Sequence, residues 1–150
     1  MQILKHQMIS RNNLIVCKRK MSHEDIFRFI RHASENIRAL DLEISDKVMF
    51  TTVSSEEGEM TKVMIPVSGQ VRSCGEFEYQ PMFKLVNAVA IRHEGDFEVI
   101  GSTEKKLTEY IAENHFEPIT SPYYVVVRND AGGPDNNIID IYIGVNYNIL

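Results

Sequence analysis

The sequence predicts an α+β fold: a duplicated β-α-β-β unit forming an antiparallel curved sheet of about eight strands, with two long helices on one face. Three observations carry that expectation. Apolar spacing switches between the two-residue period of strands and the three-to-four-residue period of helices. The same order of elements occurs twice, and the matching elements keep a nearly constant separation along the chain.

In the first copy, Leu14-Ile15-Val16-Cys17 reads as a strand, and Ser22-His23-Glu24-Asp25 breaks it. Ile26, Ile30, Ala33, Ile37 and Leu40 then recur on one face of a helix. Ser22 with Asp25 three residues later has the spacing of a capping box, with Asp in place of Glu. Residues 47–53 and 60–67 read as two strands, joined by the hairpin-like Ser54-Ser55-Glu56-Glu57-Gly58.

The second copy repeats this order. Residues 86–91 form its strand, and His93-Glu94-Gly95-Asp96 is the corner, with Gly95 turning the chain and Asp96 capping the helix. Ile100, Thr103 or Glu104, Leu107 and Ile111 give the helical stripe, and residues 123–128 and 138–145 the closing hairpin. Residues 129–136 are its Gly-rich turn. On this alignment Val48 falls on Tyr123 and Ile65 on Ile141, and His23-Glu24 matches His93-Glu94. Residues 2–10 and 76–84 read as an extra strand before each copy, and 68–75 as a Gly/Ser linker. One domain made of two repeats, about 1–67 and 76–150, is expected.

Composition narrows the function classes. A net charge of −5 gives no electrostatic footprint for nucleic acid, so no direct nucleic-acid contact is expected. The short basic run Lys18-Arg19-Lys20, followed closely by Glu24 and Asp25, reads as a solvated strand end. Cys17 and Cys74 do not make a disulfide framework and read as reduced thiols. Without a signal-peptide core or a long apolar run, a cytoplasmic protein without membrane contact is expected. No zinc-ligand or HExxH spacing, nucleophile elbow, P-loop or GxGxxG occurs, so no metal, cofactor or catalytic residue is assigned.

Ala90-Ile91-Arg92-His93-Glu94-Gly95 running into Phe97-Glu98 carries a family resemblance, with residues 107–114, Ser121-Pro122-Tyr123 and residues 140–145. In the first copy, Thr61-Lys62-Val63-Met64-Ile65-Pro66-Val67 carries it too. These stretches resemble the GyrI-like small-molecule-binding domain, also described as the AraC-type effector-binding or SHS2-tandem fold. The resemblance covers nearly the whole chain through short, degenerate motifs. It implies a cleft between the two repeats that takes lipophilic, often cationic, molecules. Many such domains are fused to DNA-binding modules; stand-alone members sequester toxins or modulate gyrase, and some hydrolyse cyclopropane-containing natural products. A stand-alone member is expected here. The sequence departs from the family pattern at Lys62, where a glutamate is common, and at Gly144, where a proline is usual. Lys62 makes neutral, aromatic or anionic ligands as plausible as cationic ones.

The expected function is therefore binding of a lipophilic or aromatic small molecule, for sensing or sequestration. Lys62, Tyr124 and Tyr142 are the expected ligand contacts, with Phe50 and Phe83 as walls. For any one aromatic, core packing is the competing role. The alternatives are a protein-interaction module, gyrase-modulator-like or antitoxin-like, and a hydrolase on the same scaffold.

Overall fold

The computed structural model describes residues 2–71, 77–129 and 137–147; Cys74 and the hairpin tip at 130–136 lie outside them. Eight strands and two α-helices follow in the order β1 (Ile3–Arg19), α1 (His23–Ala39), β2 (Glu43–Ile44), β3 (Met49–Ser55), β4 (Gly58–Ser68), β5 (Glu78–Glu94), α2 (Ile100–Glu113), β6 (Phe116–Pro118), β7 (Tyr123–Asn129) and β8 (Asn137–Tyr147). A 3-10 turn, Phe97–Val99, leads into α2. The expected α+β class and the count of eight strands hold, but the strands are distributed differently. Residues 2–10 and 14–17 are not separate strands; they belong to one 17-residue strand, and the same is true of β5. The missing pair is supplied by the short β2 and β6, whose few residues carry no periodic signal.

The chain divides into two compact units, Ser10–Lys84 and Met1–Ile9 with Leu85–Leu150. In the first unit β4 is flanked by β1 and β3, both antiparallel to it, and β2 pairs with its last residues. In the second, β8 has β5 and β7 as antiparallel neighbours, and β6 pairs with its end. The registers correspond position by position. Leu14 lies opposite Pro66 as Ala88 lies opposite Gly144, so first strands match 74 residues apart and last strands 78. The same offsets carry the pair Phe50–Val63 onto Tyr124–Ile141 and Ile44–Val67 onto Pro118–Val145. The duplication is thus real, while the expected alignment was slipped: Met49, not Val48, matches Tyr123, and Val63, not Ile65, matches Ile141. Likewise Arg19, opposite Thr61, matches His93, opposite Ile139; His23 instead opens α1. The slip arose because the second hairpin is longer, through its turn and through a register shift between Val126 and Arg128, which a near-constant offset cannot represent.

Two asparagines mark the equivalent point of each unit. Asn13 and Asn87 adopt left-handed backbones inside extended strands, with φ of 61° and 59°. The Asn13 side-chain amide donates to the carbonyls of Val67 and Gly69, at 2.7 and 2.9 Å, and that of Asn87 to the Val145 carbonyl at 3.0 Å. Asparagine suits this position because it tolerates the left-handed region better than other side chains and carries a donor on a short stem. The helix exits repeat as well. Asp41 and His115 have φ of 60° and 59°, and their N–H groups donate to Arg38 and Ala112.

In the first unit, Ile26, Ala33 and Ile37 of α1 are buried, Ile30 is half-buried and Leu40 is exposed, so the stripe ends one turn early. The Phe27 and Phe50 rings meet edge to face at 6.3 Å, which identifies the Phe50 face of the strands as the one α1 covers. The Ser22 hydroxyl bonds the Asp25 carboxylate at 2.9 Å and not a backbone N–H, so the expected capping box does not form. In the second unit, α2 buries Ile100, Thr103, Leu107 and Ile111. His93 is buried, its ring nitrogens 2.7 Å from the Thr103 hydroxyl and 2.7 Å from the Asp96 carbonyl. Gly95 turns at φ 112°, and the Asp96 carboxylate accepts from the Glu98 N–H. The RHEGD stretch is a strand-to-helix corner, as its sequence suggests. Tyr124 donates to the Glu104 carboxylate, tying β7 to α2.

Two stability predictions follow from these contacts. Asn87→Ala should cost about 2 kcal/mol, combining a lost hydrogen bond with a strained left-handed alanine, and Asn87→Gly about 1 kcal/mol less. Urea unfolding measures both; equal losses for Ala and Gly would show that the backbone conformation is not the constraint. Burial, reinforced by the Glu104 carboxylate, pushes the Tyr124 phenol well above its ordinary value. The folded state therefore holds this proton more tightly than the unfolded chain, and the resulting stability is complete below pH 10 and fades as the pH rises beyond it. Tyr124→Phe should lose about 1–2 kcal/mol at pH 7 and show a shallower decline above pH 10. Tyr123, also raised by burial, keeps part of the decline in place. An unchanged slope between pH 9 and 11 would exclude Tyr124 as its source.

Candidate functional site

Strand alternation sorts the side chains of the second unit onto two faces. Ile91, Ile141 and Tyr124 form a row across β5, β8 and β7, and Tyr124 reaches α2. The next rows therefore point to the opposite face: Arg92, Asp140 and Val125, then Ala90, Tyr142 and Tyr123. On this face lies a groove of about 630 Å3, lined by Gln2, Leu4, Ala90, Arg92, Glu94, Asp140 and Tyr142, with Ile91 also contributing. Within it, the one-carbon side chain of Ala90 stands opposite the large ring of Tyr142.

The polar edge of the groove is pre-paired. Arg92 Nε and Nη2 donate to the two Asp140 carboxylate oxygens at 2.8 and 3.0 Å, the bidentate geometry that gives such pairs their directionality. The Asp140 hydrogen bond and charge, with smaller help from Glu94 and Tyr142, raise the Arg92 pKa, so the guanidinium stays charged. Burial raises the Tyr123 phenol, which remains a neutral donor at physiological pH. Aromatic surface, a paired charge and a shallow apolar floor suit a small organic molecule with a flat portion and a few polar groups.

The first unit uses its equivalent rows differently. Lys18, Lys62 and Thr51 stand in one row across β1, β4 and β3, on the face away from α1. Half-burial lowers the Lys62 pKa, the Lys18 charge adds to that, and Glu78 acts in the opposite sense. On the helix side, the Arg19 guanidinium lies over the Phe29 ring at 5.3 Å. A second cavity, of about 350 Å3, lies beside the C-terminal half of α1, lined mainly by Ile15, Ala33, Ile37, Leu40, Leu42 and Phe77.

The residues singled out from the sequence are therefore spread over different surfaces. Tyr142 lines the groove. Tyr124 is on the opposite face of its own unit, bonded to Glu104. Lys62 and Phe50 sit on opposite faces of the first unit, Phe50 against Phe27. Phe83 is half-buried on β5 and lines neither cavity. Missed were Ala90, Arg92 and Asp140, although all three lie in stretches that carry the family resemblance. Period-two alternation from Tyr142 points to Asp140, but the cross-strand partner Arg92 needs the register. Lys18, read as a solvated strand end, is the cross-strand neighbour of Lys62. Among the described residues no group of three or more His, Cys, Asp or Glu could hold a metal ion, and no helix is long and apolar enough to cross a membrane.

The sequence matches no protein-family model and no curated protein. Several solved structures share the fold. The structure of EcmrR in complex with DNA aligns at a TM-score of 0.75 and 12% identity; the match covers 97% of this chain but only 58% of that one. A hydrolase from Listeria innocua aligns at 0.63 and 7% identity, over 97% of this chain and 91% of its own. SAV2435, solved bound to tetraphenylphosphonium, aligns at 0.56 and 11% identity, over 95% and 94%. At these identities the likeness establishes a shared fold.

Proposed function

We propose that this chain binds a small organic molecule, lipophilic or aromatic in its main part, in the groove beside Tyr142. The observation that carries this reading is the groove itself. Its volume of about 630 Å3 falls within the ordinary range for ligand sites, roughly 300–1,000 Å3. A tyrosine ring opposite Ala90 offers a stacking surface, and the Arg92–Asp140 pair offers orienting polar groups at the rim. That a protein of this fold has been solved with tetraphenylphosphonium bound supports small-molecule binding. The GyrI-like resemblance of the sequence points the same way.

Binding without turnover, as in sensing or sequestration, fits the chemistry of the groove better than hydrolysis. A hydrolytic carboxylate must be free to take a proton from water. Of the two carboxylates lining the groove, Asp140 has both oxygens engaged by Arg92, and Glu94 is exposed to solvent at the rim.

Native mass spectrometry of the purified protein, followed by thermal-shift titration with uncharged aromatic compounds, tests this reading. A bound molecule or a dose-dependent shift is expected, and Tyr142→Leu should weaken it about tenfold, roughly 1.4 kcal/mol. Ala90→Met should weaken it similarly by filling the groove, while leaving Tyr142 in place. A clean mass, no shift across the panel, or full affinity in both variants would reject the groove as the site.

A further inference from the structure

The duplicated registers set up a comparison within the molecule. One row of each unit lies at the same place in the fold: Arg92, Asp140 and Val125 in the second unit, Lys18, Lys62 and Thr51 in the first. In the second unit this row closes on itself, cation against anion. In the first, two lysines stand directly opposite each other on neighbouring strands. Directly opposed side chains have their Cβ atoms about 5 Å apart, and like charges there oppose folding. Among the described residues no carboxylate lies within ion-pair distance of either ammonium. Lys62 is moreover half-buried, and Thr51, next to it in the row, is almost wholly buried. Lys18 is exposed, so repulsion acts on both cations and loss of hydration on Lys62 alone, in a row whose equivalent shows that the charge could have been neutralised.

We propose that Lys18 and Lys62 form an anion-binding site that takes the phosphate, sulfonate or carboxylate group of a small molecule. An anion between the ammonium groups would accept a charge-assisted hydrogen bond from each and replace their repulsion with two attractions. The lowered Lys62 pKa has the same origin, since desolvation and the Lys18 charge both disfavour its charged form. The Glu78 charge opposes that shift without cancelling it. The site lies wholly within the first unit and stands whether or not the groove beside Tyr142 is occupied. It also gives a reason for the Lys-Arg-Lys run at the end of β1: Lys18 points to the Lys62 face, whereas Arg19 stacks on Phe29.

The test uses the full chain at constant ionic strength with three probes: naphthalene-2-sulfonate, the size-matched cation 2-naphthyltrimethylammonium, and inorganic phosphate. Thermal unfolding and calorimetric titration are read for the wild type, Lys62→Met, Lys18→Met and Tyr142→Leu. The wild type is expected to bind the sulfonate at least about tenfold more tightly than the cation. Lys62→Met should unfold about 1–3 °C higher without ligand, because the repulsion is gone, and should lose at least about fivefold in sulfonate affinity. Lys18→Met should shift both quantities in the same directions, and Tyr142→Leu should leave the sulfonate response intact. A Lys62-dependent response to phosphate as well marks a site for the bare anion, and a response to sulfonate alone marks one for an organic acid; either supports the proposal. Equal affinity for cation and anion, unchanged sulfonate binding in both lysine variants, or loss in Tyr142→Leu alone would overturn it. A merely structural lysine pair would raise the unfolding temperature on substitution without changing the preference between anion and cation.

Discussion

Asn13 and Asn87 each hold a left-handed backbone within an extended strand and donate a side-chain amide to the closing strand of their own unit. That contact fixes where β4 sits against β1 and where β8 sits against β5. A slip of one residue would send every side chain of a strand to the other face. The placement of Ala90 opposite Tyr142, of Arg92 opposite Asp140 and of Lys18 opposite Lys62 therefore all depend on it. A left-handed asparagine costs conformational energy, and its recurrence at equivalent points is accounted for by the register it secures.

The two units keep this geometry while their chemistry diverges. The central row facing the helices stays largely apolar: Cys17, Val63 and Phe50 in one unit match Ile91, Ile141 and Tyr124 in the other. The polar groups on that face are engaged: Tyr124 by Glu104, His93 by Thr103 and the Asp96 carbonyl, and its counterpart Arg19 by the Phe29 ring. The opposite face diverges too: a bidentate ion pair in one unit corresponds to two lysines in the other. Even the closing strands differ at one informative point. Pro66 and Gly144 are equivalent, and their carbonyls accept from Ser45 and Ile119 in turn. Gly144 also donates its N–H to the Thr120 hydroxyl at 2.9 Å, a bond that proline cannot make. An added Cβ there would lie 2.9 Å from Leu85 and 3.0 Å from Thr120, so a larger residue is crowded as well. The departure from the resembled family at this position is thus explained by the surroundings of Gly144.

Much of the fold was legible because it rests on local periodicity. The helical stripes of α1 and α2, the two hairpins and the RHEGD corner follow from residue spacing, turn residues and a capping Asp96. Elements whose signal is not local were misplaced. Residues 2–10 and 14–17 read as separate strands, yet the Asn13 amide bond to β4 lets β1 run through the gap as one strand. Strands β2 and β6 are too short to show alternation and exist because β4 and β8 offer free edges at their ends.

For the site, the sequence by itself determined the inventory: which residues are aromatic, small or charged, and that neighbours in sequence alternate between faces. Tyr124 and Tyr142, like Phe50 and Lys62, lie on different strands, so alternation along the chain did not separate them and they read as one set of ligand contacts. The tertiary structure alone decided which face the helices cover and which residues stand opposite one another. Arg92 and Asp140 are 48 positions apart in the chain, yet lie within 2.8 Å in space. Cross-strand partners depend on register, and register is set by long-range contacts such as the asparagine amides, which leave no periodic trace along the chain.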